Sequence, residues 1–123
     1  MATSEKRKKG AEWFEKVMTF APPVTDESPF LEQTFDHLFA DLWSRPGLGT
    51  RERRLITLTV LIGFGNEMAL TLHFSGALKS GDLAADELDE LILHVAHYGG
   101  WPGAAIASTV LARLRAEQKK AGE

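Results

Sequence analysis

Residues 55–81 read LITLTVLIGFGNEMALTLHFSGALKSG. Apolar residues recur at helical spacing on both sides of Gly63 and Gly65, which predicts two consecutive helices. Asn66 is a suitable N-cap for the second helix, and Gly81 is suited to end it in the left-handed conformation. The first of these helices is apolar nearly all round, so we expect it to be central in the fold.

His73 is the strongest candidate for chemistry in this stretch. At helical spacing it shares its stripe with small or short polar residues, namely Asn66, Ala69, Gly76, Ala77 and Ser80. Such neighbours allow another helix to come close, or they leave room for a ligand over the imidazole. The alternative interpretation is a histidine that is simply satisfied within the core.

The remaining segments also predict helices, and none alternates with the period of a strand. Helices are predicted over about 10–19, 29–43, 50–64, 86–98 and 102–119, with Ser28 as the N-cap of the second. We expect the helix over 29–43 to bury Leu31, Phe35, Leu38, Phe39 and Leu42. The sequence thus predicts an all-α protein of about six helices, with a flexible basic tail over residues 1–9 and a single domain over residues 10–119.

Composition bounds the class of protein. The chain has 123 residues, of which 44% are hydrophobic and 25% charged, and this is typical of one globular domain. It contains no cysteine, which excludes disulfides, zinc–thiolate sites and a cysteine nucleophile. No signal peptide and no apolar stretch of membrane-spanning length are evident, so we expect a cytoplasmic protein without membrane contact.

The net charge of −3 conceals an acidic body with one local cluster of arginines. Residues 10–112 hold fourteen acids and six cations, and four of these cations are Arg45, Arg51, Arg53 and Arg54. A short arginine cluster suits a small carboxylate better than nucleic acid, which requires a broad basic face. The same arginines, placed near a helix start, are equally suited to pairing with nearby acids.

Four motifs in order resemble the carboxymuconolactone decarboxylase family over roughly residues 30–115. They are Trp43-Ser-Arg-Pro-Gly-Leu, Arg51-Glu-Arg-Arg-Leu-Ile-Thr-Leu, the stretch 65–81, and Glu87-Leu-Asp-Glu-Leu-Ile-Leu-His-Val-Ala-His-Tyr-Gly-Gly-Trp-Pro. The resemblance implies an all-helical subunit that assembles into rings, most often a homo-oligomer that is a hexamer or trimer. It also implies one of two chemistries.

The peroxidase branch of the family carries a Cys-x-x-Cys pair, which would fall at Asn66 and Ala69 here and is absent. The resemblance therefore favours the decarboxylase branch, which uses no metal and no organic cofactor and acts on 4-carboxymuconolactone in aromatic catabolism. One departure is Ala69, because decarboxylase-type members usually carry an acid at that position. That departure leaves the substrate open, and one alternative is a related lyase or isomerase that acts on another small organic acid. The departure also favours the alternative of a non-catalytic, ring-forming accessory protein that binds a small organic acid.

Within the decarboxylase interpretation, His73 is the general acid/base, because the ordinary pKa of a histidine lies near working pH. Arg45 and Arg54 bind the substrate carboxylate, since an arginine fork matches that group. Four aromatic or imidazole side chains complete the expected substrate site: Trp43, His94, Tyr98 and Trp101. For the last three, an aromatic contact between helices or subunits explains the spacing as well. A metal site at His94 and His97 is not expected.

Overall fold

The computed structural model describes residues 2–23 and 27–122, and these form helices without any strand. The helices are α1 (Ala2–Met18), α2 (Pro29–Gln33), a π-helical segment (Thr34–Trp43), α3 (Thr50–Phe64), α4 (Glu67–Ser80), α5 (Ala85–Gly99) and α6 (Trp101–Ala121). The predicted all-α class is therefore confirmed. The chain divides into two compact units, Met1–Thr50 and Arg51–Glu123, and each is described separately.

In the first unit α1 packs against the π-helical segment. Their contact is close at Gly10, where a Cβ would lie 2.0 Å from the carbonyl oxygen of Phe35. Apolar side chains of both helices form the core of this unit, namely Phe14, Val17, Met18, Phe35, Phe39 and Trp43. The helix boundary predicted near residue 10 is wrong, because α1 already begins at Ala2. Arg7 of this helix pairs with an acid of the π-helical segment: its Nε donates to Oδ1 of Asp36 at 2.8 Å.

The helix after Ser28 begins as predicted but buries a different face. Ser28 accepts a hydrogen bond from the Leu31 amide at 3.2 Å, which confirms the N-cap. From Thr34 onwards the helix is π-helical, and Phe35, Phe39, Ala40 and Trp43 are buried, whereas Leu38 and Leu42 are exposed. The wider i→i+5 bonding moves the buried stripe to a spacing of four to five residues, so the face expected from α-helical spacing is wrong in part.

The second unit contains α3 to α6 around one apolar core. The predicted caps of α4 are confirmed: Asn66 accepts from the Ala69 amide at 3.0 Å, and Gly81 adopts φ +81°. The core draws on all four helices, with Leu58, Leu70, Phe74, Leu88 and Leu111 among its most buried side chains.

Close packing of α6 on α3 occurs at Gly103, where a Cβ would lie 2.0 Å from the carbonyl oxygen of Ile62. Helix α3 was expected to be central in the fold, but it is not enclosed on all sides. Val60 is 49% exposed and Phe64 is 80% exposed. Among the helices of the described residues, none has both the length and the apolarity needed to cross a bilayer. The predicted tail over residues 1–9 and the single domain over residues 10–119 stay predictions.

Candidate functional site

The most unusual side chain of the second unit is Arg54. It lies on the buried face of α3 with Leu58 and Ile62, and it is only 1% exposed. Nε of Arg54 donates to Oδ2 of Asp82 at 2.8 Å, and Asp82 itself is partly exposed. A buried guanidinium requires a compensating acceptor because an unpaired charge in an apolar interior is costly. The predicted role of Arg54 in binding the substrate carboxylate stays a prediction.

Asp82 reaches Arg54 because the turn after α4 is held on both sides. Gly81 ends α4 in the left-handed conformation, which glycine adopts at little cost. The Asp82 amide donates to Oγ of Ser80 at 3.2 Å, and the Leu83 amide donates to the Ala77 carbonyl at 3.3 Å. Leu83 is fully buried beside this turn. The backbone of Asp82 is therefore fixed by the turn.

His73 lies on α4, partly buried, within the electrostatic reach of Arg54. Burial is the larger cause, and the positive charge of Arg54 the second, of a pKa lowered from 6.5 to about 4. The imidazole is therefore neutral at pH 7 in the free protein. Sequence spacing shows neither the burial nor the neighbouring charge that lowers the pKa of His73.

No acid stands at Ala69, and the nearest one along the chain does not replace it. Glu67 is exposed and lies 3.5 Å from Nη1 of Arg113. The acid that the structure brings to this site is Asp82, which sequence reasoning missed. The one feature of the sequence that could have indicated Asp82 is its position directly after Gly81. A glycine that ends a helix fixes the direction in which the chain leaves that helix.

The predicted stripe of His94, Tyr98 and Trp101 on α5 and α6 separates into two pairs. His94 stacks on Tyr98 with ring centroids 5.3 Å apart, whereas Trp101 meets His97 edge-on at 5.8 Å. Nδ1 of His97 donates to the Leu93 carbonyl oxygen at 2.8 Å. The rings of Tyr98 and Trp101 are largely exposed. The stripe thus forms two ring contacts at the surface of the second unit.

An open groove of about 530 Å³ lies along α3 and α5. It is lined by charged, imidazole and leucine side chains, namely Arg51, Leu55, Leu83, Glu87, Glu90, Leu91, Leu93, His94 and His97. His94 lines this groove, whereas Tyr98 and Trp101 do not. Within the described residues, no group of three or more His, Asp or Glu side chains is placed to hold a metal ion.

The other two candidates belong to the first unit. Trp43 is 6% exposed and packs in the core of that unit, which is the position of a structural residue. Arg45 follows the π-helical segment and is exposed, and its amide donates to the Leu42 carbonyl at 3.1 Å. Their binding roles stay predictions.

The fold and the site define a helical protein in which a buried arginine pairs with a partly exposed aspartate and lowers the pKa of a histidine. The chain belongs to the carboxymuconolactone decarboxylase family, whose model matches residues 28–113. It is similar to the 4-carboxymuconolactone decarboxylase of Acinetobacter baylyi, with 42% identity over 77 residues. It is also similar to the nitrosuccinic acid decarboxylase of Metarhizium robertsii, with 32% identity over 114 residues.

The two alignments differ in extent. The first covers 61% of this chain and 57% of the Acinetobacter protein. The second covers 93% of this chain and 78% of the Metarhizium protein.

Proposed function

We propose that the protein is a carboxy-lyase that removes CO₂ from a small organic acid, with His73 and Arg54 at its reaction site. The observation that carries the proposal is the buried guanidinium of Arg54, whose charge acts on the imidazole of His73. Family membership and two relatives named as decarboxylases support the same reaction class.

The substrate class follows from the chemistry that the two named compounds share. Nitrosuccinic acid and 4-carboxymuconolactone each carry two carboxyl groups, and each has an electron-accepting group that can take up the electron pair left on carbon when CO₂ departs. That group is a nitro group in one and an unsaturated lactone in the other. We therefore propose a dicarboxylate whose leaving carboxyl group is attached beside such an acceptor.

The reaction needs no change of oxidation state from the protein. The bond between carbon and carboxylate breaks, CO₂ leaves, and the electron pair enters the nitro or carbonyl group. One proton then reaches carbon. Arg54 binds the carboxylate that is retained, because its fork presents several N–H donors to two oxygens. His73 delivers the proton.

His73 must become protonated when the substrate binds. The imidazole is neutral in the free protein at pH 7, since its pKa is about 4. A bound carboxylate offsets the charge of Arg54 and itself favours the imidazolium, so both effects raise the pKa of His73 in the complex. Proton uptake on binding therefore prepares the acid for the final step.

We further propose that the protein is a homo-oligomer, a hexamer or trimer. Helix α3 exposes an apolar row at positions four apart, Ile56, Val60 and Phe64, and Met68 of α4 is exposed as well. A second copy would remove this surface from water. Substrate binding by Arg45, Trp43, His94, Tyr98 and Trp101, a cytoplasmic location, the absence of a nucleic-acid partner and a place in aromatic catabolism stay predictions.

The test measures turnover of 4-carboxymuconolactone and nitrosuccinate by the wild-type protein, by His73→Ala and by His37→Ala. The control residue His37 is 68% exposed in the first unit. We expect the wild-type protein and the His37 variant to release CO₂ and the His73 variant to lose at least about a hundredfold in kcat. Full activity of the His73 variant contradicts the proposed role of the histidine.

A second candidate function is a non-catalytic accessory protein, and Ala69 is the observation that favours it. Absence of turnover with both acids, together with saturable binding of either, would support this candidate. The decarboxylase proposal would then fail.

A further inference from the structure

The carboxylate of Asp82 contacts a distant residue, and the hydrogen bonds of its own turn do not require this contact. Its backbone is fixed by the Ser80 and Ala77 hydrogen bonds, yet its side chain points to Nε of Arg54 at 2.8 Å. Twenty-eight residues separate the two partners. The contact therefore joins α3 to the end of α4, the helix that carries His73.

The geometry of a guanidinium explains why a single contact at Nε matters. The group is planar, and its five N–H donors have fixed directions within that plane. An acceptor at Nε, combined with burial of the aliphatic part of the side chain, fixes the orientation of the whole fork. Loss of that acceptor removes the carboxylate partner at Nε of a buried guanidinium, so the orientation of the fork becomes less restricted.

We propose that Asp82 is a positioning residue, which holds the guanidinium of Arg54 beside His73 in the orientation that receives the substrate carboxylate. This inference rests on the proposed function, because it assigns Asp82 to the same site. Asp82 itself neither transfers a proton nor touches the substrate. It acts through Arg54, because its carboxylate accepts the hydrogen bond from Nε and so orients the guanidinium.

Two explanations of the contact predict opposite effects on His73. If Asp82 positions Arg54, its loss lets the cation move away, and the pKa of His73 rises from about 4 toward 6.5. If Asp82 only screens a fixed cation, its loss exposes His73 to the full charge, and that pKa falls further. The sign of the change therefore separates positioning from screening.

The experiment follows the imidazole signals of His73 by NMR through a pH titration, without substrate. It compares the wild-type protein, Asp82→Ala, Arg54→Met and the double variant. We expect the same upward change in both single variants and no further change in the double variant. A lower or unchanged pKa in Asp82→Ala would overturn the proposal.

Two further variants serve as a fallback and as a control for this experiment. Asp82→Asn keeps the volume of the side chain and serves if Asp82→Ala does not fold. Asp89→Ala is the matched control, because Asp89 accepts from Nη1 of Arg115 at 2.7 Å on the surface of the same unit. We expect that control to leave the pKa of His73 unchanged.

Kinetics with an active substrate complete the test. Asp82→Ala should raise KM about tenfold or more while kcat falls less, since the lost interaction binds the retained carboxylate. Asp82→Glu should recover part of the loss, because it restores the charge at a longer reach. A change confined to thermal stability, with unchanged KM and unchanged His73 titration, would refute positioning.

Failure of the proposal and failure of the proposed function remain distinguishable. A wild-type protein that turns over neither acid, but shows the expected titration changes, refutes the decarboxylase and leaves the arrangement of Asp82 and Arg54 in place. An active wild-type protein with no titration change refutes the positioning role alone.

Discussion

Lowering the pH should destabilise this protein through His73, and the size of the effect follows from its surroundings. Burial and the charge of Arg54 lower the pKa of His73 from 6.5 to about 4, while the unfolded chain keeps the ordinary value. Below pH 6.5 the unfolded state therefore binds more protons at this residue than the folded state. The free energy of unfolding falls as the pH drops from 6.5 to 4 and is then constant for this group.

The magnitude is about 3 kcal/mol for the whole interval at 1.36 kcal/mol per pH unit. Between pH 7 and pH 4.5, and allowing for the partial exposure of the imidazole, about 2 kcal/mol remains. Carboxylates titrate over the same range, so the wild-type curve alone does not isolate His73. The informative quantity is the difference between the wild-type protein and a variant that lacks the imidazole.

Urea unfolding at both pH values supplies that difference. We expect His73→Gln to lose about 2 kcal/mol less than the wild-type protein between pH 7 and pH 4.5. His37→Gln is the control, because His37 is exposed, and it should follow the wild-type protein. Parallel pH dependence of the wild-type protein and His73→Gln would refute the inferred burial and charge around His73.

Three other predictions concern catalysis, assembly and packing. The alkaline limb assigned to His73, on which the rate falls as the imidazolium loses its proton, should lie at higher pH in kcat than in kcat/KM, because a bound carboxylate raises the pKa of His73; coincident limbs in the pH–rate profiles would contradict this. Val60→Asp should lower the oligomeric state in sedimentation at micromolar concentration, and an unchanged assembly would exclude the exposed face of α3 as an interface. Gly103→Ala should cost about 1–3 kcal/mol in urea unfolding, because its Cβ would collide with the Ile62 carbonyl, whereas Gly47→Ala, which meets nothing within 4 Å, should cost far less.

Particular residues show how far sequence reasoning extends here. Ser28, Asn66 and Gly81 were predicted as helix ends and are confirmed, because capping depends on atoms within three or four residues of one another. Arg54 was predicted to bind the substrate carboxylate, and that role stays a prediction. The family resemblance followed from motifs in their order along the chain and is confirmed by the match over residues 28–113.

The sequence by itself determined the helical class, the caps and the family, because each depends on local spacing or on the order of motifs. The tertiary structure decided that Asp82 meets Arg54, that the π-helical segment buries Trp43 in place of Leu42, and that the pKa of His73 lies near 4. The first joins residues 28 positions apart. The others depend on packing and desolvation, which arise only when several helices are brought together.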